Sequence, residues 1–261
     1  MFQIQTAGSV TTLTLSRPPV NAINEEWVRL FDEQLDRLAD CTVLHIRSDQ
    51  KVFCAGADLK EMRGRMDMAD GPDRMYAYVA GIQRLYFRIE ALPQVTIAEI
   101  GGAAMGGGFE LALACDLRIA ANEAKVGLPE ARLGLIPGAG GTQRLTRLCG
   151  PAIAKRLILG AEVLGGTAAA AVGVVHWSAP RTELSARAAE IAKRIADLPA
   201  AALAACKACI VAAFEPGRGG YTDELEFTRS LLTNPETQKR VTAFLAGAAE
   251  PSTPTKSGAP R

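Results

Sequence analysis

Two glutamates set among apolar residues are the chain's candidates for moving a proton. Glu110 follows three glycines, and Glu130 lies in the segment Val126–Gly134. On one continuous helix they would be about 30 Å apart, but Gly127 and Pro129 break such a helix, so the chain can fold back and bring the carboxyl groups together. A free Glu titrates at about pH 4.3, and burial beside a second carboxylate raises that pKa. The pattern therefore predicts one ionised and one protonated carboxyl that share a water molecule.

Two glycine-rich turns predict a pair of free backbone N–H groups. Gly56 permits a tight turn that leaves the N–H of Ala57 without an internal partner, although an ordinary strand-to-helix turn fits the same residues. The glycines at 106–108 precede a helix, where free N–H groups and the helix dipole favour negative charge. No basic residue lies between positions 101 and 116, which favours a developing oxyanion over a phosphate. The N–H groups of Ala57 and Gly107 are thus candidates for an oxyanion hole, where one donor is typically worth about 2.7–4 kcal/mol.

Other kinds of catalytic site lack their residues. The chain has no GxxxxGK[ST] or GxGxxG phosphate loop and no GxSxG nucleophile turn. Its two histidines, His45 and His176, allow no HExxH metal site, and each is expected to be structural. Six cysteines are too few for a disulfide scaffold, and Cys206 and Cys209 lie in an Ala-rich helical stretch without a second pair. We therefore expect no metal, no cofactor and a reducing, cytoplasmic location.

Composition and charge exclude further classes of protein. The 261 residues are 48% hydrophobic and 22% charged, as in folded globular proteins. The 29 basic and 28 acidic residues leave a net charge of +1, so no global field would hold the chain on nucleic acid or an anionic membrane. The chain contains no run of about 18 apolar residues, so we expect no membrane span. The alternating first residues indicate a strand rather than a signal peptide.

Strands alternate with helices early in the chain and helices alone follow, which predicts an α/β core with a helical C-terminal part. Alternation and β-branched residues predict strands at 10–15, 43–47, 95–100, 117–120 and 174–177. Helices are predicted after caps at Asn24, Asp58 and Thr142, after the glycines at 106–108, and over 73–92, 184–197, 199–214, 219–232 and 235–246. We divide the chain into a catalytic core (1–195), a helical region (196–247) and a flexible tail (248–261).

Four segments together resemble the crotonase (enoyl-CoA hydratase/isomerase) superfamily. They are RPPVNAI at 17–23, CAGADLKEM at 54–62, GGGFELALACD at 106–116 and GLPEARLGLIPGAGGTQRL at 127–145. The resemblance implies a crotonase-like spiral of ββα units and a C-terminal helical region that builds homotrimers, often paired as dimers of trimers. It also implies an acyl-CoA thioester substrate, with coenzyme A as part of the substrate rather than a cofactor.

The resemblance also implies residue roles. Ala57 and Gly107 match the two backbone donors that hold the thioester oxygen. Glu110 and Glu130 match the family's two glutamates, the first handling water at C3 and the second delivering the proton at C2. Because both acids are present, the resemblance favours an enoyl-CoA hydratase, with an enoyl-CoA isomerase or another acyl-CoA lyase of the family as the alternative. Ala55 matches a residue that contacts coenzyme A through its backbone, and Lys60 lies where a basic side chain can reach a phosphate.

Departures from the family pattern leave alternative functions open. Gly101 replaces a usual Asn, Glu99 lies in a predicted core strand without an identified partner, and the ending AFLAGAAEP lacks the family's basic character. A protein that binds thioesters without turnover remains an alternative. Some relatives bind RNA through a lysine-rich first helix, but the helix here, 24–40, has acidic residues, two arginines and no lysine. That surface would repel phosphate, which argues against RNA.

Overall fold

The computed structural model describes residues 1–38, 40–215 and 217–248, so positions 249–261 of the predicted tail lie outside the described residues. The chain divides into two compact units, residues 1–198 and the residues from Pro199 onward. The strands are β1 (Phe2–Ala7), β2 (Val10–Leu15), β3 (Val43–Ser48), β4 (Val95–Ile100), β5 (Ala104–Met105), β6 (Leu117–Ala121), β7 (Lys125–Gly127), β8 (Val163–Gly165) and β9 (Trp177–Ala179). The helices are α1 (Glu25–Asp36), α2 (Leu59–Met66), α3 (Gly71–Ala91), α4 (Gly107–Ala114), α5 (Gly141–Leu159), α6 (Gly166–Ala171), α7 (Arg181–Ala196), α8 (Ala200–Ala212), α9 (Gly220–Leu232) and α10 (Pro235–Ala248), with a 3-10 turn at Glu130–Leu133.

The first unit is built on two sheets. Six strands form one sheet in the order β1-β2-β3-β4-β6-β9, and three form a second in the order β5-β7-β8. In the large sheet β1 and β2 are an antiparallel hairpin, and every later pair of neighbours is parallel. Parallel neighbours need crossover connections, which α1 and the later helices supply. The predicted α/β architecture is therefore confirmed.

Burial of apolar side chains explains where the helices lie. The central strands are almost wholly buried, as parallel strands covered on both faces must be. Helix α1 buries Trp27, Phe31 and Leu35, spaced one turn apart, and the ring of Phe2 lies 5.3 Å from Trp27 and 5.2 Å from Phe31. The predicted Asn24 cap is present, since its side chain accepts a hydrogen bond from the N–H of Trp27.

Glu99, the acid without an identified partner in the sequence, has two polar partners inside the first unit. One carboxylate oxygen accepts a hydrogen bond from the Ser185 hydroxyl at 2.7 Å, and the other lies 2.8 Å from Nε2 of His45. Burial acts to raise the pKa of Glu99, but the partners His45 and Ser185 outweigh it, so the pKa is lowered. His45 therefore has the structural role expected of it, and Ser185 ties α7 to the sheet.

Two local predictions were wrong. The strand expected at 174–177 begins only at Trp177, because Val174 and Val175 turn back to donate hydrogen bonds to Ala169. The helix expected to start at a Thr142 cap starts at Gly141 instead. The first N–H group of this helix, that of Gly141, donates to the distant carboxylate of Glu110, and this removes the need for a local cap.

The second unit consists of α8, α9 and α10, with α8 packed against α9. Large apolar side chains are exposed on it, among them Ile210, Tyr221, Leu225, Leu232, Val241, Phe244 and Leu245. No single helix among the described residues is long and apolar enough to cross a membrane, although the consecutive helices α7 and α8 pass such a test together by length and composition alone.

Candidate active site

Two segments distant in sequence, 53–57 and 103–108, lie side by side and form the backbone of the site. The N–H of Phe53 donates to the Ala103 carbonyl at 2.9 Å, and the N–H of Met105 donates to the Cys54 carbonyl at 3.0 Å. A Cβ on Gly108 would lie 2.1 Å from the same Cys54 oxygen. Only glycine allows this close approach, which brings the turn at 56–57 against the start of α4.

The two amides predicted as an oxyanion hole are neighbours in the structure. Gly56 has φ +92° and Gly106 has φ +50°, conformations that favour glycine. A Cβ on Gly56 would lie 3.2 Å from the amide nitrogen of Gly107, and a Cβ on Gly107 would lie 3.7 Å from that of Ala57. Within the described ranges, neither Ala57 nor Gly107 donates its N–H to a protein acceptor. Both donors are therefore available to a ligand oxygen.

Helix α4, which carries Glu110, is fixed at both ends. Near its N-terminus, the Tyr86 hydroxyl donates to the Gly107 carbonyl at 2.7 Å. At its C-terminus, the buried guanidinium of Arg118 donates to the carbonyls of Ala112 at 3.1 Å and Cys115 at 2.6 Å. A cation at this position also complements the negative end of the helix dipole.

Glu110 is 2% exposed, and one of its oxygens is already held. Oε1 accepts hydrogen bonds from the N–H of Ala139 at 2.9 Å and of Gly141 at 2.7 Å, where α5 begins. The carboxylate thereby caps α5 from a distance, which is why Thr142 is not the cap. No described residue donates to Oε2, so this oxygen is available to a water molecule or a ligand.

Burial raises the pKa of Glu110 to about 7, well above that of a free glutamate side chain. The hydrogen bond from Gly141 lowers the pKa, the charge of Glu130 raises it, and the hydrogen bond from Ala139 and the charge of Arg144 lower it further. A carboxyl group with this pKa exchanges protons readily at neutral pH.

Glu130 lies at the start of the 3-10 turn and faces Gly106. A Cβ on Gly106 would lie 2.7 Å from Oε1 of Glu130, so the carboxyl group occupies the space that the missing side chain leaves. Its Oε2 is buried without a protein partner among the described residues. Burial raises the pKa of Glu130 as well. The chain turns back at Gly127 and Pro129 and places the second acid beside Gly106, the residue before α4. The sequence predicts this return of Glu130 toward the segment that carries Glu110.

One cavity of about 590 Å³ joins these groups. Ala55, Ala57, Gly107, Glu110 and Glu130 all line it. Its remaining wall is mostly apolar and comes from α2, α3 and the loop before α5, including Met62, Met75, Val79, Ile82, Leu133, Leu135 and Ile136. The arrangement can hold a carbonyl oxygen at two amides while one carboxyl group exchanges a proton with a water molecule and the other with an adjoining carbon.

Lys60 is the one predicted site residue that the structure does not place at the cavity. It follows the Asp58 cap of α2, where its N–H donates to the Asp58 carboxylate at 3.1 Å, and its side chain is exposed. Sequence reasoning missed two supporting residues, Tyr86 and Arg144. Tyr86 had a signal, because a tyrosine on the buried face of a predicted helix needs an acceptor for its hydroxyl. Arg144 had none, since its charged partner, Glu90, lies 54 positions earlier in the chain.

The pKa of Glu110 makes stability depend on pH. Between 4.5 and about 7 the folded state holds more protons than the unfolded state, so the free energy of unfolding falls as the pH rises. We expect Glu110→Gln to be more stable than wild type at about pH 8, by up to about 3 kcal/mol, and to lose this advantage near pH 4. Urea unfolding at both pH values measures this. An equal advantage at both would assign the effect to packing.

Comparison with known proteins decides the family. Residues 5–248 match the family model described as enoyl-CoA hydratase/isomerase. The chain belongs to the enoyl-CoA hydratase/isomerase family. The match covers both compact units, including the helical C-terminal part where the sequence motifs are weak.

Individual members of this family agree with that assignment. The protein named probable enoyl-CoA hydratase 2, mitochondrial, from Arabidopsis thaliana is 38% identical over 244 residues, which is 92% of this chain and 79% of the Arabidopsis protein. Methylglutaconyl-CoA hydratase, mitochondrial, from Mus musculus is 46% identical over 160 residues, 59% of this chain and 49% of that protein. The structure of an enoyl-CoA hydratase from Bacillus anthracis matches with a TM-score of 0.86 at 33% identity, covering 94% and 96% of the two chains. The predicted crotonase superfamily and its α/β fold are confirmed.

Proposed function

We propose that this family member is an enoyl-CoA hydratase that adds water reversibly, in the syn sense, across the 2,3 double bond of an acyl-CoA thioester. The observation that carries the proposal is the meeting of two carboxyl groups and two free amides at one cavity. The amides account for the charge that develops on the thioester oxygen, and the two acids account for the two protons that move.

The thioester carbonyl accepts hydrogen bonds from the N–H groups of Ala57 and Gly107. This polarisation makes C3 electrophilic, and negative charge collects on the oxygen as the new bond forms. Fixed donors in a buried site stabilise that charge more effectively than water does, because they need not reorient.

The two acids divide the proton transfers. Ionised Glu110, fixed through Oε1, uses Oε2 to orient the water and accept its proton as the water oxygen bonds to C3. Protonated Glu130 gives its proton to C2 as the enolate-like electrons return. The product is a 3-hydroxyacyl-CoA, with one proton gained by Glu110 and one lost by Glu130, and proton exchange with solvent restores both acids. No residue in this sequence of steps requires a metal or redox cofactor.

The cavity favours an uncharged acyl chain. No lysine, arginine or histidine of the described residues lines it, and most of its wall is apolar. The distal carboxylate of a 3-methylglutaconyl group, the kind of substrate that the mouse relative's name indicates, would be desolvated there without a cation. We therefore propose neutral 2-enoyl chains as substrates.

The exposed apolar side chains of the second unit support a homotrimer, which can pair as a dimer of trimers, because such side chains are covered in stable assemblies. Coenzyme A enters as part of the substrate, with Ala55 and Lys60 proposed as contacts. We propose a cytoplasmic location and no binding to nucleic acid or membrane.

Turnover of a panel of thioesters tests the function. We expect crotonyl-CoA to lose the absorbance of its conjugated thioester and to yield 3-hydroxybutyryl-CoA, with 3-methylglutaconyl-CoA a far poorer substrate. A 3-enoyl-CoA offered in parallel distinguishes the alternative, because fast migration of the double bond with negligible hydration would identify an isomerase. Tight binding of coenzyme A without turnover of any thioester would identify a binding protein instead.

A further inference from the structure

The loop that holds Glu110 is itself held by an ion pair between a buried arginine, Arg144, and a half-buried glutamate, Glu90. Glu110 depends on the N–H groups of Ala139 and Gly141. Ala139 lies in the loop before α5 and Gly141 is the first residue of α5, so neither N–H is held by a hydrogen bond within the helix. Amides at such a position keep their direction only if something fixes the peptide groups between them. The structure provides that fixation in Arg144, one turn into α5.

Arg144 is 5% exposed, and its guanidinium contacts the loop before α5 and two residues of α3. Nη1 donates to the carbonyl of Ala139 at 2.9 Å. Nε and Nη2 donate to one carboxylate oxygen of Glu90, near the end of α3, at 3.2 and 3.0 Å. The guanidinium also lies over the ring of Phe87, 5.0 Å from its centroid. The side chain therefore connects α3 to the residue whose amide holds Glu110.

Gly140 makes this connection possible. Its φ of +101° turns the chain so that the amides on either side of it point toward Glu110. A Cβ at this position would lie 2.3 Å from Nη1 of Arg144. Glycine is therefore needed both for the backbone conformation and for the passage of the guanidinium.

We propose that Arg144, anchored by Glu90, is a positioning residue that fixes the loop at 139–141 and thereby the direction and protonation of Glu110. This inference rests on the proposed hydratase function for its kinetic consequence only. Arg144 does not line the cavity, so it acts through Ala139 and not on the substrate. An arginine is required because a lysine presents no planar fork that can bridge a carbonyl and a carboxylate together.

The charged and titratable groups facing Glu110 fix the direction of the effect. Glu130 raises the pKa of Glu110 by its charge, whereas Arg144 lowers it, and the hydroxyl of Tyr86 also lies close enough to interact with the Glu110 charge. Loss of Arg144 removes a favourable charge and loosens an amide donor, and both changes favour the protonated carboxyl. The pH above which Glu110 acts as a base should therefore rise.

Substitutions at Arg144 and Glu90 test the proposal by two measurements, the titration of Glu110 in the absence of substrate and the kinetics of turnover. Selective ¹³C labelling of glutamate, with the Glu110 signal assigned by its absence in Glu110→Gln, gives the titration of this carboxyl directly. We expect Arg144→Met to raise the pKa of Glu110, to move the acidic limb of kcat/KM for crotonyl-CoA to higher pH, and to lower kcat by about 10²-fold with little change in KM. Arg144→Lys keeps the charge, so it should move the titration less while kcat still falls.

Matched variants separate positioning from general destabilisation. Arg29→Met removes an arginine from an exposed ion pair with Glu33 and should change neither the titration nor the kinetics. Glu90→Gln keeps a hydrogen-bond acceptor and should retain most of the activity, whereas Glu90→Ala should resemble Arg144→Lys and serves as the test if Arg144→Met does not fold. Folded Arg144→Met and Glu90→Ala variants with wild-type kcat and an unchanged Glu110 titration would overturn the proposal. If the wild type hydrates no 2-enoyl thioester but the titration still moves, the proposed function fails and the positioning role stands.

Discussion

Replacing Glu110 with Gln is expected to lower kcat for crotonyl-CoA hydration by about 10²- to 10⁴-fold, the range for loss of a positioned acid or base. The amide can still accept hydrogen bonds from Ala139 and Gly141, so the fold and KM should change little. It cannot accept a proton from water, so attack at C3 loses its base. Glu130→Gln should cause a loss of the same order, because C2 then lacks its acid. Glu33→Gln, on the exposed face of α1, is the control.

Hydrogen exchange separates the roles of the two acids. In ²H₂O, exchange of the C2 protons of butyryl-CoA needs the oxyanion hole and the group that serves C2, but it needs no water at C3. We expect Glu110→Gln to retain much of this exchange and Glu130→Gln to lose it. The opposite result would interchange the roles, and full hydration activity in both variants would remove the two-acid mechanism.

Local patterns in the sequence were sufficient to predict the position of groups that depend only on the backbone or on nearby residues. The free amides of Ala57 and Gly107 follow from the glycines before them, Gly56 and Gly106, which can adopt the positive-φ conformations that these turns require. The return of Glu130 toward Glu110 follows from helix breakers, Gly127 and Pro129, between them. Each of these inferences needs only the residues within one turn of the group concerned.

Contacts between distant segments could not be predicted in this way. The cap of α5 is a carboxylate about thirty positions earlier, Glu110, so the local candidate Thr142 was wrong. The acid Glu99 finds its partners on β3 and α7, in His45 and Ser185. Each pairing depends on how whole elements pack, and a polar side chain in a single sequence does not indicate which of many distant groups will satisfy it.

Burial of Glu110 sets stability against activity at this site. Burial gives Glu110 a pKa suited to proton exchange, yet it makes the ionised carboxyl a cost to the folded state above about pH 7. The two amide hydrogen bonds and Arg144 reduce that cost without removing it. A substitution that improves stability here is therefore expected to remove the catalytic base.

Gly107→Pro should lower kcat by about 10²- to 10³-fold, because it removes one N–H donor from the oxyanion hole. Gly107 is the first residue of α4, a position at which proline is tolerated and has no intrahelical hydrogen bond to lose. The fold should therefore persist, as circular dichroism and the thermal midpoint can establish. Since the donor's interaction strengthens as charge develops on the oxygen, kcat should fall more than KM rises.

Gly107→Ala is the matched control for that variant. It retains the N–H, and its Cβ would meet the Cδ1 atom of Ile23 at 3.3 Å, the end of a flexible side chain that can shift. Most of the loss in Gly107→Pro should therefore be absent from Gly107→Ala. If the two folded variants have the same kcat, the cost comes from the added side chain and the Gly107 N–H does not stabilise the transition state. If only the proline variant is impaired, the loss arises at the Gly107 nitrogen, where the proline ring replaces the N–H that faces the thioester oxygen.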